Sequence, residues 1–221
     1  MDLIELKPLI PELFYNTLTR TGITSLRPAQ TKAIKAGLLD GKNIVVCTPT
    51  ASGKTLIAEL AGIKRILNEN GIMVYVVPLK ALASEKTRDF KNRYEPMLRI
   101  ALSIGDAESS EPYLRDYNII VCTAEKLDSL IRNHATWLHN ITTLIIDEIH
   151  LLNDPNRGPT LEIVITLLRQ IIKNMQIIGL SATIGNPQEL ADWLDAKLVI
   201  DDWRPVPLTK GIFHDNTIEF D

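Results

Sequence analysis

The sequence predicts an α/β fold in which helices cover both faces of a parallel β-sheet. Short apolar runs alternate with helical stretches of ten or more residues, which is the rhythm of βαβ units. The runs are almost continuous in Val, Ile and Leu, as is typical of parallel strands buried on both faces. A chain of 221 residues is long enough for one such domain with its own core. The predicted strands cover residues 43–47, 72–77, 100–104, 118–122, 143–147, 176–180 and 197–200.

The two ends of the chain depart from this rhythm. Two helices are predicted before the first strand, one over residues 11–21 closed by Gly22 and one over about 28–39 closed by Asp40-Gly41. After Asp201, two prolines in the Trp203 stretch favour an extended path. We therefore divide the chain into N-terminal helices (1–40), the sheet domain (41–200) and an exit linker (201–221) that leads to a further domain. A C-terminal strand packed on the same domain is an equally open interpretation of the last segment.

The composition limits the classes of function. A net charge of -3 and a pI near 5.8 lack the basic surplus typical of nucleic-acid binders, and 5% aromatic residues disfavour recognition by base stacking. Nucleic-acid contacts, if present, should be mainly to phosphates. No apolar run approaches the roughly 18 residues of a membrane span, and the N-terminus does not resemble a signal peptide. Two cysteines form no disulfide framework, which favours a reducing, cytoplasmic setting.

A phosphate loop is predicted between the first strand and the helix that follows it. The loop matches G-x-x-x-x-G-K-[ST] at each fixed position except the first, where Thr48 replaces glycine. In such loops backbone N–H groups bind phosphates, Gly53 permits close approach, Lys54 reaches the β and γ phosphates, and Thr55 holds Mg²⁺. The alternative is an ordinary turn that happens to contain Gly-Lys-Thr. The candidate nucleotide-binding residues are Thr48, Pro49, Thr50, Ala51, Ser52, Gly53, Lys54 and Thr55.

Two carboxylates follow the apolar run that begins at Thr143. Consecutive strand residues point to opposite faces, so Asp147 and Glu148 can both face a phosphate only if the strand ends there. Asp147 is then the candidate ligand of Mg²⁺, and Glu148 the candidate base that orients and deprotonates the attacking water. Taken alone, two acids at a strand end are more often a solvated helix entry.

Five predicted strands end in polar clusters. Besides the phosphate loop, the clusters begin at Pro78, Thr123, Asp147 and Ser181. The carboxyl ends of parallel strands share one edge, where ligands bind. The sequence therefore predicts a single surface that carries nucleotide or polynucleotide chemistry.

These clusters resemble motifs I, Ia, Ib, II and III of the superfamily 2 helicases, in that order. The stretches Asp-Glu-Ile-His150, Arg157-Gly-Pro-Thr-Leu-Glu162, Gly179-Leu-Ser-Ala-Thr-Ile-Gly-Asn-Pro187 and Trp203-Arg-Pro-Val206 are similar to the Ski-two-like group, in particular to its archaeal DNA repair helicases. The likeness extends from Leu26 to the Trp203 stretch. It corresponds to the first of two RecA-like domains.

The resemblance implies an ATP-dependent DNA helicase that uses ATP and Mg²⁺, with an arginine finger from the second RecA-like domain and little hydrolysis by this chain alone. It implies that Gln30 reads adenine, which agrees with the ability of an amide to bond both N6 and N7; otherwise Gln30 is a solvated helix residue. It further implies a nucleic-acid path along Pro78, Lys80, Gly105, Asp106 and Thr123, and coupling roles for His150, Ser181 and Thr183.

Other interpretations stay open. A lysine such as Lys80 or Lys126 is about as often solvated as bound. Backbone recognition does not distinguish DNA from RNA, so an RNA helicase of the same group is possible. A nucleotide-gated clamp without catalysis is the third class, although such a clamp has no need of Glu148.

Overall fold

Within the residues that the structure describes, a seven-stranded parallel sheet forms the centre of the chain. The structure is a computed structural model that describes residues 1–105, 110–182, 184–206, 209, 211–214 and 217–220, apart from the side chains of 213, 218 and 219. The strand order across the sheet is β3-β4-β2-β5-β6-β1-β7. Those strands are β1 (Ile44–Cys47), β2 (Ile72–Val76), β3 (Ile100–Ser103), β4 (Ile119–Cys122), β5 (Ile141–Asp147), β6 (Gln176–Ser181) and β7 (Lys197–Ile200). The sequence-based prediction of an α/β parallel sheet is thus confirmed.

Helices lie on both faces of the sheet because successive strand residues point to opposite sides. In β1, Ile44 and Val46 pack into one core and Val45 and Cys47 into the other. The first core is shared with helices α1 to α4 and the second with α5 to α7. The helices are α1 (Glu12–Arg20), α2 (Pro28–Lys35), α3 (Lys54–Glu69), α4 (Lys80–Tyr94), α5 (Ala124–Arg132), α6 (Gly158–Ile171) and α7 (Pro187–Trp193).

The N-terminal helices pack directly against the sheet domain. Phe14 and Leu18 of α1 are fully buried in the first core. The second predicted helix is too long, since α2 ends at Lys35 and a separate 3-10 turn covers Leu38–Asp40. Gly37 between them has φ 102°, a left-handed conformation that favours glycine and interrupts the helix.

The C-terminal segment begins with an ion pair to a buried carboxylate and contains two strands that pair with each other. Asp201 is 6% exposed, and its carboxylate lies 2.7 Å from the Lys32 ammonium. This ion pair connects the residue that follows β7 to helix α2. Strands β8 (Gly211–His214) and β9 (Thr217–Phe220) pair antiparallel in a sheet separate from the central one. Across the described ranges, every helix falls short of the length and apolarity that crossing a bilayer would require.

Candidate active site

The carboxyl ends of five neighbouring strands bring the predicted clusters to one edge of the sheet. All pairings among β1 to β7 are parallel, so these ends lie on the same side. Across the sheet, the clusters follow β4, β2, β5, β6 and β1. Thr123 and Pro78 therefore lie at one end of this edge and the phosphate loop at the other, with Asp147 and Ser181 between them.

Two residues of the phosphate loop have left-handed backbone conformations, and two hydroxyls form a hydrogen bond across the loop. Ala51 has φ 64° and Gly53 has φ 89°. A side chain at Gly53 would bring its Cβ to 2.6 Å from Gln30 Nε2, so the close packing also requires glycine here. The Thr48 hydroxyl lies 2.6 Å from that of Ser52, and both residues are buried. Threonine at the first position thus provides a hydrogen bond across the loop that glycine lacks.

Lys54 is the first residue of α3 and lies inside the loop. Its ammonium donates to the carbonyl oxygens of Thr48 at 3.3 Å and Ser181 at 3.1 Å. These contacts hold the amine between β1 and β6. A phosphate bound by the loop would offer the same amine a stronger, anionic acceptor.

The carboxylate pair has the geometry that the sequence required of it. Strand β5 ends at Asp147, and Glu148 adopts a left-handed conformation with φ 56°. This turn breaks the alternation of the strand, which lets the second carboxylate leave the sheet plane. Glu148 N–H donates to Asp147 Oδ1 at 3.2 Å, and both acids are partly exposed. The observed strand end satisfies the condition for two acids facing one ligand.

His150 connects Glu148 to Ser181. The His150 Nδ1 atom lies 3.3 Å from Glu148 Oε2 and 3.4 Å from Ser181 Oγ. The Ser181 carbonyl oxygen also accepts a hydrogen bond from the Lys54 ammonium. One residue at the end of β6 therefore contacts both the lysine of the loop and the histidine beside the carboxylate. Thr183, the other predicted coupling residue, lies outside the described residues.

Helix α7 follows Asn186, whose side chain makes no cap hydrogen bond with the helix backbone. The Asn186 amide instead donates to Glu189 Oε2 at 2.9 Å.

Tyr75 and Lys86 belong to the site, although neither residue is part of a predicted cluster. The Tyr75 hydroxyl donates to Asp147 Oδ2 at 2.9 Å. Burial, and next the Asp147 carboxylate, raise the pKa of Tyr75 well above its ordinary value, so the phenol keeps the proton that it donates. The Lys86 ammonium donates to Thr55 Oγ1 at 3.2 Å and lies 5.7 Å from the centre of the Tyr75 ring. No local pattern marks these two residues.

The predicted metal ligands suit magnesium in their chemistry. Thr55 and Asp147 supply a hydroxyl and a carboxylate, and Mg²⁺ prefers oxygen ligands with water and substrate phosphates completing its shell. Both residues interact with the Tyr75 hydroxyl, which brings them to one place at the mouth of the loop. The donor set therefore fits a magnesium ion bound together with a nucleotide.

Gln30 is buried rather than solvated, with 3% of its surface exposed. Its Oε1 accepts from Arg27 N–H at 2.8 Å and its Nε2 donates to the Gly53 carbonyl at 3.0 Å. The amide thus links the entry of α2 to the phosphate loop. A cavity of about 360 Å³ adjoins it and is lined by residues 22–25, Arg27, Gln30, Gly53, Thr55, Leu56 and Arg93.

Arg93 reaches that cavity from α4 and is anchored by a buried acid. Its Nη1 lies 2.6 Å and 2.7 Å from the two carboxylate oxygens of Glu59, which is 1% exposed. The Tyr94 hydroxyl donates to the same carboxylate at 2.7 Å. Burial raises the pKa of Glu59, and Arg93 opposes this shift. The cluster ties α3 to α4 beside the loop.

The predicted nucleic-acid residues line a separate groove of about 500 Å³. Pro78, Lys80, Gly105 and Thr123 are among its lining residues, whereas Asp106 lies outside the described part of the chain. The Thr123 hydroxyl also caps α5 by accepting from Lys126 N–H at 3.4 Å.

Two basic residues in the groove differ in role. Lys126 is 2% exposed and pairs with Glu111 at 2.9 Å, so it is neither solvated nor an open phosphate contact. Arg157 is partly exposed and lines both this groove and the smaller cavity that contains Asp147 and Glu148. Its motif was recognised in the sequence, but no role was assigned to the arginine.

The fold and the edge of the sheet define a P-loop domain of the RecA-like type, with the loop between β1 and α3 and the acids at the end of β5. A sequence profile described as DEAD/DEAH box helicase matches residues 27–190. The chain belongs to this family, as its motifs predicted.

Individual relatives give a finer comparison. The chain is 51% identical over 205 residues to the ATP-dependent DNA helicase Hel308 of Pyrococcus horikoshii, covering 93% of this chain and 28% of that protein. It is 55% identical over 208 residues to the ATP-dependent DNA helicase Hel308 of Methanocaldococcus jannaschii, covering 90% of this chain and 17% of that protein. The chain thus spans less than a third of these relatives.

A solved structure shares the fold. The crystal structure of the DUF1998 helicase MrfA bound to DNA superposes with a TM-score of 0.73 at 28% identity, covering 88% of this chain and 30% of that one.

Proposed function

We propose that this chain is the first motor domain of an ATP-dependent DNA helicase that acts in DNA repair or replication restart. The observation that carries the proposal is the convergence of a phosphate loop, a carboxylate pair and a basic-lined groove on one edge of a parallel sheet. Two relatives that are 51% and 55% identical to this chain are ATP-dependent DNA helicases, which supports ATP and DNA as the ligands. Free, buried Cys47 and Cys122 support a cytoplasmic location.

ATP would bind with its phosphates on the loop and its base in the cavity beside Gln30. Lys54 would leave the Thr48 and Ser181 carbonyls and bind the β and γ phosphates. Thr55 and Asp147 would hold Mg²⁺, which neutralises charge on the phosphates when it is bound. Glu148 would orient the attacking water in line with the γ phosphorus and accept its proton. To read adenine, Gln30 would exchange its bonds to Arg27 and Gly53 for bonds to the base.

Ser181 and His150 would relay the state of the nucleotide. Ser181 contacts Lys54 through its carbonyl and His150 through its hydroxyl, and His150 contacts Glu148. A shift of Lys54 toward phosphate would therefore release one partner of Ser181. We propose Thr183 as a further member of this relay, on its motif alone.

A single DNA strand would follow the groove of Pro78, Lys80, Gly105 and Thr123, with Asp106 proposed beside it. Contacts would be to phosphates, because the groove offers cations and a helix N-terminus rather than aromatic platforms. A second RecA-like domain would close over the nucleotide and supply the arginine finger. The length of the relatives, several times that of this chain, supports such a domain.

Strand separation tests the proposal. The complete protein is expected to unwind a forked DNA duplex with ATP and not with a non-hydrolysable analogue. Nucleotide-dependent binding of the fork without unwinding would indicate a clamp. Unwinding of a forked RNA duplex but not of the DNA fork would indicate an RNA helicase.

Arg157 is expected to contact a phosphate of the bound strand. Its backbone N–H donates to Asp154 Oδ1 at 2.9 Å, and a Cβ on the next residue, Gly158, would lie 2.2 Å from the Leu152 carbonyl, so the turn is tightly fixed. We expect Arg157→Ala to weaken single-stranded DNA binding and to reduce the slope of log affinity against log salt by about 0.7, one phosphate contact. Fluorescence anisotropy at several salt concentrations measures both quantities.

Arg20→Ala is the matched control, because Arg20 is an exposed arginine at the end of α1 outside the groove. An unchanged salt slope in Arg157→Ala would show that this residue does not contact a phosphate of the bound strand.

A further inference from the structure

Lys86 lies where a magnesium ion would have to bind. Its ammonium is 3.2 Å from Thr55 Oγ1, the hydroxyl that the phosphate loop offers to the metal. The other proposed metal ligand, Asp147, accepts a hydrogen bond from the Tyr75 hydroxyl at 2.9 Å. The Lys86 ammonium lies over the ring of the same tyrosine. A cation of the protein thus lies at the mouth of the loop, on the oxygen of Thr55, one of the two proposed ligands.

The position of Lys86 is determined by its helix and its surroundings. Lys86 is on α4, and its side chain is partly buried between α3 and β2. Besides Thr55 and Tyr75, its charge acts on the buried carboxylate of Glu59. Contacts with two groups on two other elements are unlike those of a solvated lysine, which extends into water.

The ammonium and the metal ion compete for one oxygen. A magnesium ion binds its ligand oxygens at about 2.0–2.1 Å, and Thr55 Oγ1 would have to direct a lone pair to it. The same oxygen now accepts from Lys86. Two cations on one hydroxyl repel each other strongly in a partly desolvated site.

We propose that Lys86 is a place-holding cation that must leave Thr55 before magnesium and nucleotide bind together. The proposal rests on the proposed function, because it assumes that the loop binds a magnesium nucleotide. Lys86 is a positioning residue, not a catalytic one. It holds the lone pair of Thr55 Oγ1 when no metal is bound, and its displacement raises the magnesium concentration that nucleotide binding requires.

The test is a magnesium titration of nucleotide binding to the complete protein. Fluorescent mant-ADP reports binding, and the midpoint in Mg²⁺ is compared among wild type, Lys86→Met, Lys86→Arg and Lys91→Met. Methionine has a side chain of similar length to lysine but carries no charge. Lys91→Met is the control because Lys91 is an exposed lysine on the same helix.

We expect Lys86→Met to lower the magnesium midpoint roughly tenfold, the equivalent of one hydrogen bond to a charged group. Lys86→Arg and Lys91→Met should remain within about twofold of wild type, and thermal unfolding checks that each variant is folded. A midpoint that is unchanged or higher in folded Lys86→Met would overturn the place-holding role alone. Absence of mant-ADP binding by the wild type at any magnesium concentration would overturn both this role and the proposed function.

Discussion

Replacing Lys54 by alanine is expected to abolish ATP turnover in the complete protein. The Lys54 ammonium lies inside the phosphate loop, 3.1 Å and 3.3 Å from two carbonyl oxygens that a phosphate would replace as its partners. Removing this cation leaves the developing charge on the γ phosphate without its main protein counter-charge. We expect a loss of at least about 10³-fold in kcat/KM, measured by steady-state phosphate release.

The control for this variant is Lys35→Ala, which removes an exposed lysine at the end of α2. It should leave turnover unchanged. Undiminished turnover in Lys54→Ala would show that the loop does not bind the reacting phosphates, and the assignment of the whole nucleotide site would fail with it.

Replacing Glu148 by glutamine is expected to stop hydrolysis while preserving nucleotide binding. The left-handed turn after β5 frees this carboxylate from the strand, and the ion pair that it forms is with His150, which lies outside the phosphate loop. Glutamine is nearly isosteric but does not accept a proton, so the general-base contribution of about 10²–10⁴ in kcat should be lost. ATP should then remain bound and intact, as measured by quench and chromatography of the bound nucleotide.

An enzyme and a clamp respond differently to this change. A nucleotide-gated clamp would behave almost as the wild type, since it has no need of a base. Glu12→Gln, at an exposed glutamate that begins α1, is the control for the lost charge. Fast hydrolysis in Glu148→Gln would mean that another group accepts the proton.

Much of this architecture could be predicted because its signals are local in sequence. The seven strands of the sheet are continuous apolar runs, and each was predicted to within a few residues. The loop follows β1 directly, and the strand end at Asp147 was required by the alternation of side chains. Gly37 was not recognised as a break, because a single glycine in a helical pattern is often tolerated.

The remaining features of the site depend on contacts between distant segments. Tyr75 contacts Asp147 because β2 pairs with β5, and Lys86 contacts Thr55 because α3 and α4 pack on the same face of the sheet. No spacing in the chain encodes these pairs. Lys126 is likewise buried by a residue from another segment, Glu111. For this reason both interpretations of Lys126, as a solvated lysine and as a nucleic-acid contact, were wrong.

The central claim is that this domain couples ATP hydrolysis to a DNA strand bound at the same edge of its sheet. The most direct test is the steady-state ATPase rate of the complete protein with single-stranded DNA, with single-stranded RNA and with neither, using Glu148→Gln as the blank. We expect strong stimulation by DNA and little by RNA. A rate that neither polymer changes would contradict the coupling assigned to His150, Ser181 and Thr183, and stimulation by RNA alone would contradict the choice of DNA.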